Sequence, residues 1–324
     1  MNKHQTDQAE NYKYLGDITS NDPENTYKAR EDKAKGYRAM CISIATEVSL
    51  GYRIFSIAKV LHQSVFLNGT MVNMETWPNC TMSRIERFER IEQHYFRTIL
   101  SAHSKTGIEN IYLSLGVWPF RFHLMKKRIS YYQVIMKREK SEITRKVIEA
   151  QKRNNIKGDF YNQVKSDMDF LNITELDIII KSEEQLKQDL ISRIDTAAYQ
   201  YLIEKSQNHS KTPTELYKDL KGSKYLFDYR FSPNLAKLIF SFWTRTYEVK
   251  NNFRNKYQEN LNCVLCEEEI CQQSHLYKCS VIRRVVGQIK GDYEDLFSDD
   301  LDELLEAAKT VKILVETRQI LLDP

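Results

Sequence analysis

The chain has 324 residues, 48 Lys and Arg against 44 Asp and Glu, a formal net charge of +4, and 41% hydrophobic side chains, which is ordinary for a soluble protein of two or three modules. Ten glycines and six prolines argue for long helices with few sharp turns, and against a sandwich or barrel. No uninterrupted apolar run approaches a membrane span and the polar start is not a signal peptide. The six cysteines, four of them crowded near the C-terminus, suit a reducing, intracellular compartment.

In chain order, Tyr12–Ile18 reads as a short β-strand ended by Gly16-Asp17, and Asn21-Asp22-Pro23 as a turn and helix cap. Helical patterning then covers Glu24–Val48, with Met40, Ile44 and Val48 four apart, and breaks at Gly51. A second helix is predicted over Tyr52–Met74, and Trp77-Pro78 punctuates. In Ser83–Leu100, Ile85, Phe88, Ile91, Tyr95 and Ile99 fall three and four apart, an amphipathic helix. A small helix at Ile108–Leu115 stops at Gly116, and a basic helix is predicted over Phe120–Lys137. A linker hinged at Gly158 spans Asn154–Asp159. Further helices are expected at Phe160–Leu171, Glu183–Lys205, Pro233–Trp243, Leu301–Ala308 and Val311–Leu321, with a loop at Asn208–Pro213. The expected fold is mainly α: helical bundle modules, a short N-terminal β element and a small CCHC zinc knuckle.

That knuckle is the one place where residue type and spacing dictate a chemistry. Cys263-x2-Cys266-x8-His275-x3-Cys279 offers two thiolates on a tight turn and two more ligands one helical turn apart. Such a set closes a tetrahedral structural Zn2+ site with no open position for a catalytic water. Cys271 lies inside the loop as a competing thiol less naturally spaced from His275, and the plainer alternative is a group of buried or reactive free cysteines. Charge is unevenly spread. Phe120–Lys165 carries thirteen basic residues against four acids, a net +9, whereas Asp292–Pro324 sums to −7. A basic middle with an acidic tail suggests a polyanion surface. Phe297-Ser298-Asp299-Asp300 mimics a polymerase metal turn but runs into DLDELLEAAK, and is better read as a helix start. No phosphate loop, dinucleotide fingerprint, zinc-protease motif or nucleophile elbow occurs, and no histidine completes a triad.

Taken in order, these residues resemble the C-terminal part of a non-LTR (LINE-type) retrotransposon reverse transcriptase, from Tyr12 nearly to the end. Tyr12-Lys13-Tyr14-Leu15-Gly16 is similar to the K-Y-L-G segment that follows the palm. Phe96-Arg97-Thr98-Ile99-Leu100 is similar to an L-R-x-I-L pattern, and Ile111–Pro119 to an L-Y-x-x-L-G-x-x-P element. Lys126-Lys127-Arg128 with Tyr131 resembles a basic R-R-x-x-Y helix. His209-Ser210-Lys211 and Trp243-Thr244-Arg245-Thr246 resemble S-K and R-T-R elements, with the knuckle last. The resemblance implies the end of a palm-like strand at 1–23, with Tyr14, Leu15 and Gly16 near the primer terminus. It further implies a thumb at 24–103, a basic linker at 104–260, the knuckle at 261–290 and an acidic helical tail at 291–324. Fingers, palm and any endonuclease domain would precede Tyr12, so no catalytic residue is carried over and the chain is not expected to be an enzyme on its own. Trp243 stands where the family often has Arg, and Cys271 is an extra thiol.

The function expected from this reading is a nucleic-acid-binding remnant of an RNA-directed DNA polymerase, in the nucleus ahead of the cytoplasm and without a membrane partner. It would hold RNA or DNA, as template–primer or target. Lys126, Lys127, Arg128, Lys137 and Arg138 would contact phosphates, Arg245 would join them, and Tyr131 or Tyr277 would stack on bases. Two alternatives stand beside it: a domesticated helical protein-interaction module with a structural zinc, and a fragment of an active enzyme whose palm lies in cis upstream of Met1.

Overall fold

The computed structural model describes residues 11–14, 17–20, 23–48, 53–77, 80–207, 216–257 and 260–323. Helices dominate them. Near the N-terminus, Asn11–Tyr14 pairs antiparallel with Asp17–Ser20, Asn11 opposite Ser20 and Tyr14 opposite Asp17. The single strand expected over Tyr12–Ile18 is thus two short ones, whose backbone groups satisfy each other as one lone strand's could not. Of the residues assigned to a primer terminus, Tyr14 ends the first strand, and Leu15 and Gly16 lie outside the described residues.

The chain divides into two compact units. One comprises Met1–Ile44, Val60–Tyr95 and Trp118–Ala198, and the other Ala45–Lys59, Phe96–Val117 and Tyr199–Pro324. In the first, the helix Phe120–Met136 is not the solvated basic helix its lysines and arginines suggest. Phe120, Phe122, Leu124, Ile129, Tyr132 and Ile135 are all buried and, with Arg121, Arg128 and Gln133, turn most of its circumference inward, leaving a narrower strip of Lys126, Ser130, Val134 and Lys137. A helix with so wide a buried face belongs inside a fold. Its N-terminus is held by two buried acids from the helix Met82–Leu100. Glu92 accepts the Phe120 N–H at 3.0 Å and pairs with His62 at 2.7 Å, both side chains fully buried. Glu89 accepts the Nε and Nη2 donors of Arg121, each at 2.6 Å. Carboxylates at a helix start satisfy orphan donors and oppose the helix dipole, here in a dry setting where both effects are strong. Phe88 stacks on Phe120 at 5.5 Å beside them.

His62 reaches Glu92 from an irregular helix. Where the sequence predicts one helix over Tyr52–Met74, the chain runs Ile54–Leu61, widens to a π-turn at His62–Leu67, and closes with Asn68–Thr70. Two helices of this unit are not among those expected from the sequence, Ile143–Asn154 and Glu175–Ile180; the latter opens with a Thr174–Asp177 capping box.

In the second unit, Ile108–Leu115 ends at Gly116, φ +61, where an added Cβ would lie 2.5 Å from the Lys221 carbonyl carbon. Only glycine fits such a turn. Lys59 donates to the carbonyls of Leu115 at 3.1 Å and Gly116 at 2.8 Å, a cation on the negative end of that helix. Pro233–Trp243 starts on Ser232, whose side chain accepts the Leu235 N–H, with Pro233 in the first turn. The two tail helices predicted from sequence are one, Leu301–Leu322, because Lys309-Thr310 interrupts the charge pattern but not the backbone ladder. Asp300 caps it, accepting from Asp302 N–H at 2.7 Å and Glu303 N–H at 3.1 Å.

The buried acids generate a stability prediction. Glu92→Ala removes the acceptor shared by His62 and the Phe120 N–H, and is expected to cost about 3 kcal/mol or more in denaturant unfolding. Glu86→Ala, exposed on the same helix, is expected to cost less than about 0.5 kcal/mol.

Candidate metal centre

Cys263 and Cys266 stand on a tight loop fastened at its base. Asn262 and Ile270 form an antiparallel bridge, with Cys263 N–H donating to Glu269 O at 2.7 Å and Cys271 N–H to Leu261 O at 2.8 Å. The loop closes through Glu267 N–H to Cys263 O at 2.9 Å, with Glu267 in the left-handed region at φ 59. This turn aims the N–H groups of Cys266 and Leu265 at the Cys263 sulfur, and those of Glu268 and Glu269 at the Cys266 sulfur. The other pair comes from one helical turn, His275–Lys278, whose exit brings Cys279 N–H to His275 O at 2.7 Å. Residues four apart share a face, so His275 and Cys279 point together.

All four donor atoms, the sulfurs of Cys263, Cys266 and Cys279 and a ring nitrogen of His275, lie within 4.8 Å of one another. Cys263 Sγ is 3.9 Å from Cys279 Sγ, and Cys266 Sγ is 3.3 Å from His275 Nε2. The other ring nitrogen, Nδ1, meets Glu269 Oε2 at 3.0 Å. A carboxylate there fixes the tautomer that leaves Nε2 a lone pair for a metal. Electrostatics divide the thiols. Burial opposes ionisation of Cys266, but the N–H groups of Glu268 and Glu269 and the His275 ring prevail and bring it down to about 7. Burial, with Cys279 beside it, pushes Cys263 up to about 11. Such a cluster can hold a metal ion, and four protein donors leave no coordination position for substrate or water.

Cys271 is not among the converging donors. It is 2% exposed, its carbonyl accepts the Asn251 N–H at 2.9 Å, and its thiol neighbours Tyr247. The centre is no appendage: Cys263, Cys271 and Cys279 share a core cluster with Phe242, Leu296, Val311 and Leu314. Trp243, where the resemblance expects Arg, anchors the same region by donating from its indole to Leu296 O at 2.6 Å.

The other sequence-assigned residues are dispersed. Arg128 is 3% exposed, pairs with Asp167 at 3.2 Å and donates to Gln163 at 2.7 Å; it serves the fold. Lys127 pairs with Glu75 at 2.8 Å and also donates to Met71 O. Lys126 lies 5.5 Å from the Trp118 ring, with burial and Lys187 holding its ammonium below the usual lysine range. Lys137 donates to Lys181 O at 3.0 Å and Arg138 pairs with Glu142 at 3.4 Å, both exposed. Tyr131 packs edge-on to Phe160 at 5.8 Å, and Tyr277, 6% exposed, is a core residue. Arg245 is exposed. Beyond these, Lys140, Lys146, Arg153, Lys157 and Lys165 are exposed and form no ion pair among the described residues. They were part of the +9 segment, but only the burial of Ile148 shows which face of the Ile143–Asn154 helix is turned out. Asp299 and Asp300 hold no hairpin: Asp299 pairs with Lys218 and Asp300 is the helix cap.

Comparison with protein-family models, curated proteins and solved structures finds no match.

The ligand assignment has a direct check in metal content per chain. Cys279→Ser is expected to lose the bound metal, whereas Cys271→Ser is expected to keep one equivalent. Glu269→Gln should weaken metal affinity by about 10- to 100-fold in chelator competition, the effect of losing an outer-shell partner.

Proposed function

We propose that the centre holds a structural zinc ion and that the chain binds nucleic acid, as the thumb, linker and knuckle part of a LINE-type reverse transcriptase. Zinc suits the donor set. Tetrahedral Zn2+ with sulfur at ~2.3 Å and nitrogen at ~2.0–2.1 Å places sulfurs ~3.8 Å apart and sulfur from nitrogen ~3.6 Å. The 3.9 Å and 3.3 Å separations lie close to those values. Three thiolates also favour zinc over the oxygen-seeking divalent ions.

The observation that carries the nucleic-acid reading is the set of exposed cations free of ion pairs on and beside the Ile143–Asn154 helix. Lys146 and Arg153, seven residues apart, share one face, and Lys140 and Lys157 flank them. Their charge is available to phosphates, unlike that of Arg121 or Arg128. Each phosphate neutralised releases counterions, so affinity falls steeply with salt. Exposed Ile143 and Val147, at 79% and 48%, favour a second reading in which this helix meets a protein. Salt tells the two apart.

The test is anisotropy of a labelled single-stranded RNA and a primer–template duplex against salt. Lys146→Gln/Arg153→Gln/Lys157→Gln should weaken binding to the single strand and make the log–log salt slope shallower by about 2, three contacts at ~0.7 each. Wild-type binding that ignores salt, or a triple variant with the wild-type slope, would count against the reading.

A further inference from the structure

A cleft of about 450 Å3 in the second unit is lined by Lys105, Arg245, Arg254, the amides of Asn251, Asn252 and Asn255, and Phe253. Three cations and three asparagines line it, and no carboxylate is among the lining residues. Lys105, Arg245 and Arg254 form no ion pair among the described residues. Two of them are oriented by uncharged neighbours. Arg254 Nε donates to Asn251 Oδ1 at 2.7 Å, and the Lys105 ammonium lies 4.8 Å from the Phe253 ring centre.

Arg245 supplies an independent observation. It follows the helix Pro233–Trp243, with its N–H donating to Phe242 O at 3.1 Å and the Thr246 N–H to Ser241 O at 2.8 Å. That pair of bonds is a Schellman ending, and Arg245 occupies its left-handed position at φ 50. Glycine belongs there; an arginine is strained. The fold would be served better without this side chain, so its presence at the mouth of a cationic cleft points to a ligand. The cleft is also tied to the metal centre, since the Asn251 N–H donates to the Cys271 carbonyl at 2.9 Å.

We infer that this cleft is an oxyanion site that takes a phosphate group of a nucleic-acid strand beside the metal centre. The inference rests on the nucleic-acid reading above and adds a second contact point to it. Guanidinium groups match phosphate oxygens in paired N–H···O bonds, and the Asn251 and Asn255 amides offer neutral donors beside them, the Asn252 amide being engaged with Tyr247 O at 2.7 Å. Free phosphate offers the same chemistry, so the experiment separates the two sources.

The full metal-loaded chain and its Arg245→Gly variant are compared. Glycine relieves the left-handed strain, so the melting temperature should stay or rise and metal content should not change. RNA affinity should nevertheless fall severalfold and the salt slope become shallower by about 0.7, one phosphate contact. Arg254→Gln should move affinity the same way. Arg245→Gly binding RNA with wild-type affinity and slope overturns the site while leaving the wider reading intact. If the wild-type chain binds no RNA at low salt, that wider reading fails and inorganic phosphate decides the cleft. Phosphate that raises the melting temperature of wild type but not of Arg245→Gly supports an oxyanion site for the free ion. Phosphate that shifts neither overturns it.

Discussion

Three thiols and an imidazole converging within 4.8 Å cannot all adopt their ligand forms without a cation among them. Thiolates at that spacing repel strongly where water is scarce; burial already holds the Cys263 thiol up, while, against burial, the backbone N–H groups of Glu268 and Glu269 and the His275 ring draw Cys266 down. A divalent ion removes the conflict and fastens the Cys263–Cys266 loop to the His275–Cys279 turn. The core of the second unit packs directly against these two segments. Cys263 and Cys279 are core residues packed with the helices Pro233–Trp243 and Leu301–Leu322, so an ion held there would stabilise a cluster as well as a loop. Because a site of this kind does not exist in the unfolded chain, its binding free energy is folding free energy. The acidic tail is accordingly part of the centre's support, its Ala307, Val311 and Leu314 turned into the same cluster.

The first unit manages charge differently. Its central helix, Phe120–Met136, carries cations into the interior and meets them with acids from neighbouring helices: Glu89 for Arg121 and Asp167 for Arg128. Burial pushes the Asp167 carboxyl up to about 6 against the pull of Arg128, a sign of how dry that position is. Removing either member of such a pair leaves the other charge stranded, which makes these residues structurally indispensable and unavailable to a ligand. Cations without an acid partner among the described residues stand at the surface instead, Lys146 and Arg153 on the helix Ile143–Asn154 among them.

How much of this was legible in the sequence differs by element. The Cys-x2-Cys and His-x3-Cys spacings are local, and local geometry alone carries them to one point, so the ligand set could be read directly. Helix existence was legible wherever apolar residues recur every three or four positions, as in Met82–Leu100, and wherever glycine ends the run, as at Gly116. The interior role of Phe120–Met136 was harder to see, because counting lysines and arginines says nothing about which ones meet an acid from a distant helix. Glu89, Glu92 and Asp167 are separated from their partners by 28 to 39 residues, and no local pattern announces such pairs. Ile143–Asn154 does carry helical spacing in Ile143, Val147 and Ile148, but its many charges mask it, and of the three only Ile148 is buried. The cleft of Lys105, Arg245 and Arg254 joins segments 140 residues apart in Thr106 and Thr246, which also lie below the reach of spacing arguments. Of the three, only Arg245 falls in a segment that carries the resemblance, and nothing local in the sequence announces its left-handed backbone.

The central claim is a closed metal centre of three sulfurs and one nitrogen that organises the second unit. Metal-edge X-ray absorption on the purified, metal-loaded chain tests it most directly. The expected result is zinc in a first shell of three sulfurs at about 2.3 Å and one nitrogen at about 2.0–2.1 Å, with no oxygen. A shell of four sulfurs would bring Cys271 in and displace His275, and a shell containing water oxygen would mean an open site; either result contradicts the account.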